Sequence, residues 1–230
     1  MGRLLKRGQM QGGTRGEVRG VLSPYAAAPR EREGYPSGGW VPADRPFSAA
    51  YWRAIMADSK YPIGKFVEDP NVTPEKRQQW IADIVAAPDT FRRAVAGLSD
   101  QQLDTPYRDG GWTVRQVVHH MADSHVHNLI RFRMALTQES PDVSGYDPAK
   151  WAELPDAKSA PLEVSLALFT AIQHRWVLLL RAMTPADFGR TFRRPDGQTI
   201  TLDRALQTYA WHGKHHAAHI TGLRERMGWK

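Results

Sequence analysis

The chain has 230 residues, 41% of them hydrophobic, no cysteine, and a formal net charge of +7. The lack of cysteine excludes disulfides, thiolate metal ligands and a cysteine nucleophile, so any metal must be held by His, Asp, Glu or water. The charge does not describe a nucleic-acid surface: residues 1–55 hold nine Arg or Lys against four Asp or Glu, whereas the remainder holds 22 against 20 and is nearly balanced.

The apolar runs are too short to cross a bilayer, and the N-terminus lacks the apolar core of a signal peptide, so a cytoplasmic protein with no membrane partner is expected. Residues 1–55 carry nine of the 19 glycines and five of the 16 prolines, with no hydrophobic periodicity. Such composition predicts a basic, disordered extension, with Met56 as the expected natural start and residues 56–230 as the folded domain.

Thr73-Pro74-Glu75 is a helix start, with Thr as N-cap, Pro at the first helical position and an acid in the first turn. Trp80, Ile81, Ile84 and Val85, then Phe91, Val95 and Leu98, predict a helix over 74–98, kinked or split at Pro88. Ser99 to Gln102 is a capping signature for a short turn, and Asp109-Gly110-Gly111 marks a loop. Thr113-Val114-Arg115-Gln116 is a capping box opening a second helix, with Trp112 placed to staple onto Val117. Residues 141–160, rich in Pro, Asp and Ser, predict a loop that Trp151 anchors.

Leu162, Leu166, Phe169, Ile172, Trp176, Leu179 and Met183 recur at three and four, which predicts an amphipathic helix over 161–183. Thr184-Pro185 starts a helical turn, and Phe192 to Thr201, with Asp196-Gly197 in the middle, predicts a short hairpin. The last helix spans 202–227, with the seam Leu202, Leu206, Tyr209, Gly213, His216, Ile220, Leu223 and Met227. Four long helices without a substantial sheet predict an all-α four-helix bundle.

All nine histidines lie between positions 119 and 219. His212 and His216, and likewise His215 and His219, are one helical turn apart and can share a ligand. The seam favours His212 and His216, leaving His215 and His219 as supporting or exposed. In the Thr113 helix the inward series Val117, His120, Ser124 favours His120 as the third ligand. It puts His119 on the surface, with His125 and His127 at the cavity mouth and His174 in solvent. Three imidazoles with no fourth protein ligand form the pattern of an open, catalytic site, for which Zn²⁺ is suited and Ni²⁺, Fe²⁺ or Mn²⁺ are alternatives. Asp123, His127 and His219 are the candidates to stand around the ligands. No HExxH, Ser-His-Asp signature, phosphate loop or dinucleotide turn is present.

The stretch Gly111-Trp112-Thr113-Val114-Arg115-Gln116-Val117-Val118-His119-His120, followed by Asp123-Ser124-His125, resembles the second-helix motif of the DinB-like superfamily. Tyr209-Ala210-Trp211-His212-Gly213-Lys214-His215-His216 resembles its last-helix motif. Within it, Tyr61-Pro62-Ile63-Gly64-Lys65, Leu103 to Trp112 and Arg226-Met227-Gly228-Trp229 look like the YfiT-type metal-dependent hydrolases. The resemblance covers Met56–Trp229 and implies a four-helix bundle, a homodimer, and one metal per subunit, Zn²⁺ or Ni²⁺, on His120, His212 and His216. It implies a hydrolase acting on a small-molecule substrate. The first alternative is transfer of a low-molecular-weight thiol such as bacillithiol, with the metal stabilising the thiolate. The second is a non-catalytic, metal-binding or DNA-damage-associated bundle.

Overall fold

The computed structural model describes residues 59–230; the expectations for residues 1–55 and for Met56 lie outside the described residues. Helix α1, Pro74–Val95, starts where Thr73 accepts from the Lys76 amide and Pro74 supplies a preset φ. It continues unbroken through Pro88. Helix α2, Asp100–Leu103, and helix α3, Val114–Thr137, each open on a reciprocal capping box, Ser99 with Gln102 and Thr113 with Gln116. Each box satisfies two amides that the first turn leaves unpaired.

The segment expected to be a loop over 141–160 holds two short helices, α4 Pro148–Ala152 and α5 Pro155–Ser159. Their prolines sit in the first turn, where a missing N–H costs nothing, so the residues read as loop signals are helix starts. Five residues are too few to show a hydrophobic repeat. Helix α6 spans Leu162–Ala182 and helix α7 spans Pro185–Phe188. Strands β1, Thr191–Arg193, and β2, Thr199–Thr201, form the expected hairpin, with Phe192 opposite Ile200 and Gly197 at φ +81° in the turn. Helix α8 spans Leu202–Met227 and stops at Gly228, which takes the left-handed φ of 66° that glycine adopts without strain.

The four long helices form a four-helix bundle in which α1 packs on α8 and α6, and α3 packs on α6 and α8. Consecutive long helices, α1 with α3 and α6 with α8, share no comparable interface and stand at opposite corners. The connections therefore cross the bundle ends, and α2, α7 and the hairpin occupy them. Among the described residues no helix is long and apolar enough to cross a membrane.

The core divides into two apolar clusters. One gathers Ile84, Phe132, Trp176, Leu202 and Leu206, and the other gathers Phe91, Val117, Met121, Phe169 and Ile220. Burying each such large side chain contributes roughly 1.5–3 kcal/mol. Between the clusters three helices carry polar side chains, His120, Ser124 and His125 on α3, Gln173 on α6, and His212 and His216 on α8, while α1 presents the Ile84 carbonyl left free by Pro88. Met227, expected in the seam of α8, is 54% exposed, because the last turn runs beyond the packed bundle.

Candidate metal centre

Three imidazoles from two helices meet in the polar layer. His120, His212 and His216 each offer a ring nitrogen, and these nitrogens lie within 4.8 Å of one another. His120 Nε2 and His212 Nε2 are 3.3 Å apart. Nitrogens bound tetrahedrally at about 2.0–2.1 Å, the usual Zn–N length, stand about 3.3 Å apart, so this edge fits a Zn²⁺-sized ion. Burial pushes the His120 imidazolium down to about 4 and holds His212 and His216 well below the usual histidine value. All three are therefore neutral at pH 7, the state a metal ligand requires.

Their tautomers follow from fixed acceptors further out. Pro88 has no N–H, so the Ile84 carbonyl of α1 lacks its helical donor. Gln173 Nε2 donates to that oxygen at 3.4 Å, which turns Gln173 Oε1 toward His125 Nδ1 at 3.3 Å. A carbonyl oxygen only accepts, so His125 carries its proton on Nδ1 and offers the Nε2 lone pair to His212 Nδ1 at 3.5 Å. His212 is thus protonated on Nδ1, and its Nε2 lone pair faces His120. A second chain does the same for His216: His219 Nε2 donates to the Lys60 carbonyl at 3.2 Å, and its Nδ1 accepts from His216 Nδ1 at 3.3 Å. His215, His216 and His219 also lie within 4.8 Å of one another, and this hydrogen bond accounts for the close approach of the last two.

The cavity above these rings has a volume of about 510 Å³. Its walls include Tyr61, Tyr107, Arg108, Trp112, Tyr146 and Tyr209, and no Asp or Glu among the described residues. The loop from Tyr107 to Trp112 reaches it because Gly110 adopts φ +61° and Gly111 passes close to Arg108; a Cβ on Gly111 would lie 2.7 Å from Arg108 Cγ. Arg115, buried at 6% exposure, binds Asp104, Asp100 and the Ala160 carbonyl and so clamps α2 and the end of α5 against α3. Tyr107 stacks on His219 at 3.9 Å, Trp112 lies 4.7 Å from His120, and Trp211 stacks on His215 at 4.3 Å. Chain 60–69 straps α8 from His219 at the Lys60 end to Gln207, whose amide exchanges hydrogen bonds with the Asp69 backbone.

The remaining histidines depart from expectation where α3 is enclosed on more than one side. His119, expected at the surface, is 6% exposed and bonds Ser165 Oγ and the Ala160 carbonyl, because α6 covers the adjacent face as well. His125, expected at the cavity mouth, is fully buried against Phe169 and Trp176. His127 stacks on Tyr146 at 4.4 Å, and Trp151 packs on both rings, but His127 does not line the cavity. Asp123 is half-buried, its carboxyl pushed up by burial and by Asp156, and is likewise not in the cavity wall. His215 and His219, expected to support the ligands or to be exposed, are both buried, and His219 bonds His216; His174 is exposed as expected. Gln173 and Pro88 were not identifiable as site residues from the sequence, since the contacts that matter join α1 to α6. The Ser124 and Tyr209 hydroxyls meet at 3.4 Å in the wall.

Comparison with known proteins gives a consistent answer. Residues 83–220 match the DinB superfamily. A Bacillus mycoides (strain KBAB4) protein named "Putative metal-dependent hydrolase" is 49% identical over 174 residues, 76% of this chain and 100% of the relative. A Bacillus cereus (strain AH820) protein of the same name is 48% identical over 174 residues with the same coverage. Among solved structures, YfiT from Bacillus subtilis, described as a probable metal-dependent hydrolase with an unusual four-helix bundle topology, matches with a TM-score of 0.73. Its identity is 48%, over 75% of this chain and 99% of that one.

Proposed function

The chain belongs to the DinB superfamily, and we propose that it is a metal-dependent hydrolase whose His120, His212 and His216 hold one Zn²⁺ per subunit. The observation that carries this reading is the meeting of three neutral imidazole nitrogens at the floor of an open cavity with no carboxylate in its wall among the described residues. Uncharged nitrogen donors with vacant positions on the cavity side suit a catalytic ion better than a structural one. The chemistry such an ion supplies when bound is Lewis acidity, which activates water near neutral pH and polarises a substrate carbonyl or ester.

The chain's own residues set the conditions for that chemistry. His125 and His219 hold the two α8 ligands in the tautomer that frees Nε2. Tyr107, Trp112 and Tyr146 form the aromatic wall of the reacting volume. Among the described residues the buried Nε of Arg108 has no partner and the cavity wall has no acid, which favours a small-molecule substrate with an anionic or acceptor-rich group. His215 Nδ1 is likewise buried without a partner among the described residues and has hydrogen-bonding capacity to offer such a group.

Metal analysis of the purified chain tests the ligand set: about one ion per chain is expected, and His120→Ala or His216→Ala should each remove it. Full metal content in both variants would refute the assignment. Thiol transfer uses the same ligands, so assays with an electrophile panel, run with and without a low-molecular-weight thiol, decide the reaction class. Turnover that depends on the thiol would replace hydrolysis by S-transfer. The expected homodimer is checked by sedimentation of the full chain.

A further inference from the structure

A second cavity, of about 300 Å³, lies on the other side of Tyr209, bounded by α3, the hairpin and the first half of α8. Its wall carries three arginines, Arg131, Arg194 and Arg204, and no acid among the described residues. Two of the three are already paired: Arg194 with Asp196 at 3.2 Å, and Arg204 with Glu68 at 3.1 Å. Arg131 has no carboxylate partner among the described residues; its Nη1 donates to Tyr209 Oη at 3.3 Å, and its buried Nε has no partner among them either. The uncompensated charge of the wall is therefore that of one guanidinium.

Asn128 supplies the second observation. It is 0% exposed, lines this cavity, and neither its Nδ2 nor its Oδ1 has a hydrogen-bond partner among the described residues. Buried amides are nearly always satisfied, and an orphaned one marks a place where a ligand or water completes the bonding. Asn128 and Arg131 are one turn apart on α3, so both orphans face one volume. Phe66, Phe192 and Ile200 add apolar walls.

We propose that this cavity binds a small hydroxycarboxylate with an apolar body. The carboxylate matches the single unpaired charge of Arg131, whose Nε is left to donate, and it accepts from Asn128 Nδ2. Asn128 Oδ1 needs a donor, which a hydroxyl beside the carboxylate supplies; an ammonium in that place would stand beside the unpaired Arg131 guanidinium. The apolar body rests on Phe66, Phe192 and Ile200. A dianion such as inorganic phosphate fits less well, because one guanidinium is free and Phe66, Phe192 and Ile200 offer it no hydrogen bond. The site stands apart from the histidine cluster and does not depend on the metal reading.

Calorimetric titration of the full chain with 3-phenyllactate tests it, with 3-phenylpropionate (no hydroxyl) and 2-phenylethanol (no carboxylate) as comparisons. Saturable binding of 3-phenyllactate is expected, weaker by about tenfold or more for either comparison compound. Arg131→Met and Asn128→Leu should each weaken it by a similar factor, and His120→Ala should leave it unchanged. Asn128→Leu separates a ligand site from a structural one: removing two unpartnered polar atoms should hold or raise the melting temperature while binding is lost. A lowered melting temperature would make Asn128 structural and overturn the proposal. So would the absence of saturation below about 10 mM, or binding that both cavity variants retain. Loss of binding in His120→Ala would place the probe in the metal cavity and overturn it equally.

Discussion

At the residue scale, the site depends on which nitrogen of each imidazole carries the proton. His125 and His219 decide this for His212 and His216, and they are themselves decided by Gln173 and the Lys60 carbonyl. Partners of this kind typically change metal affinity by about 10–100-fold when removed. Gln173→Leu and His219→Phe should therefore weaken Zn²⁺ or Co²⁺ binding by a factor in that range, read by competition with a chelator, while all three proposed ligands remain. Unchanged affinity in both variants would show that the outer hydrogen bonds do not orient the ligands. Gly111 has a different role, since a Cβ there would sit 2.7 Å from Arg108 Cγ and 3.1 Å from its carbonyl. Gly111→Ala should shift the Tyr107–Trp112 loop and cost about 1–3 kcal/mol by overpacking, measurable by urea denaturation.

At the element scale, the helix starts were the most legible features. Thr73, Ser99, Thr113, Thr184 and Thr201 all accept the amide hydrogen bond of an N-cap. Their side chains act locally, within three residues, so sequence suffices to find them. Thr113→Ala should lower stability by about 1 kcal/mol, and because α3 carries His120 near this end, the same variant should fray the proposed metal site first. Hydrogen exchange of the amides of Gln116 and Val117 would detect that, and protection equal to the parent chain would contradict it. The short helices α4 and α5 escaped notice because they depend on packing against α3: Gln116 Nε2 donates to the Ala152 carbonyl and Arg115 to that of Ala160. Those bonds join positions 36 and 45 residues apart and leave no periodic trace.

At the scale of the whole molecule, a polar layer between two apolar clusters makes the fold sensitive to acid. The imidazolium pKa is pushed down to about 4 for His120, His215 and His219 and to about 3 for His125, chiefly by burial. The unfolded chain titrates near 6.5, so between that value and the folded one it binds more protons than the native state. The stability these groups contribute is thus fully present above pH 6.5 and is lost as the pH falls through the folded values. Metal-free protein should accordingly show a falling melting temperature from about pH 6.5 down to about pH 4, and added Zn²⁺ should raise it at pH 7 and lose that effect on acidification. A flat profile over this range would mean that the histidines are solvated. The sequence by itself determined the four helices, the hairpin, the family resemblance and the choice of His120, His212 and His216 as candidate ligands, because caps, heptads and i, i+4 pairs are local. Only the tertiary structure decided that α1 and α3 stand at opposite corners, that His119 and His125 are buried, and that the carbonyl freed by Pro88 orients Gln173. Each of these depends on which helix faces which, and diagonal packing brings together residues whose separation along the chain carries no signal.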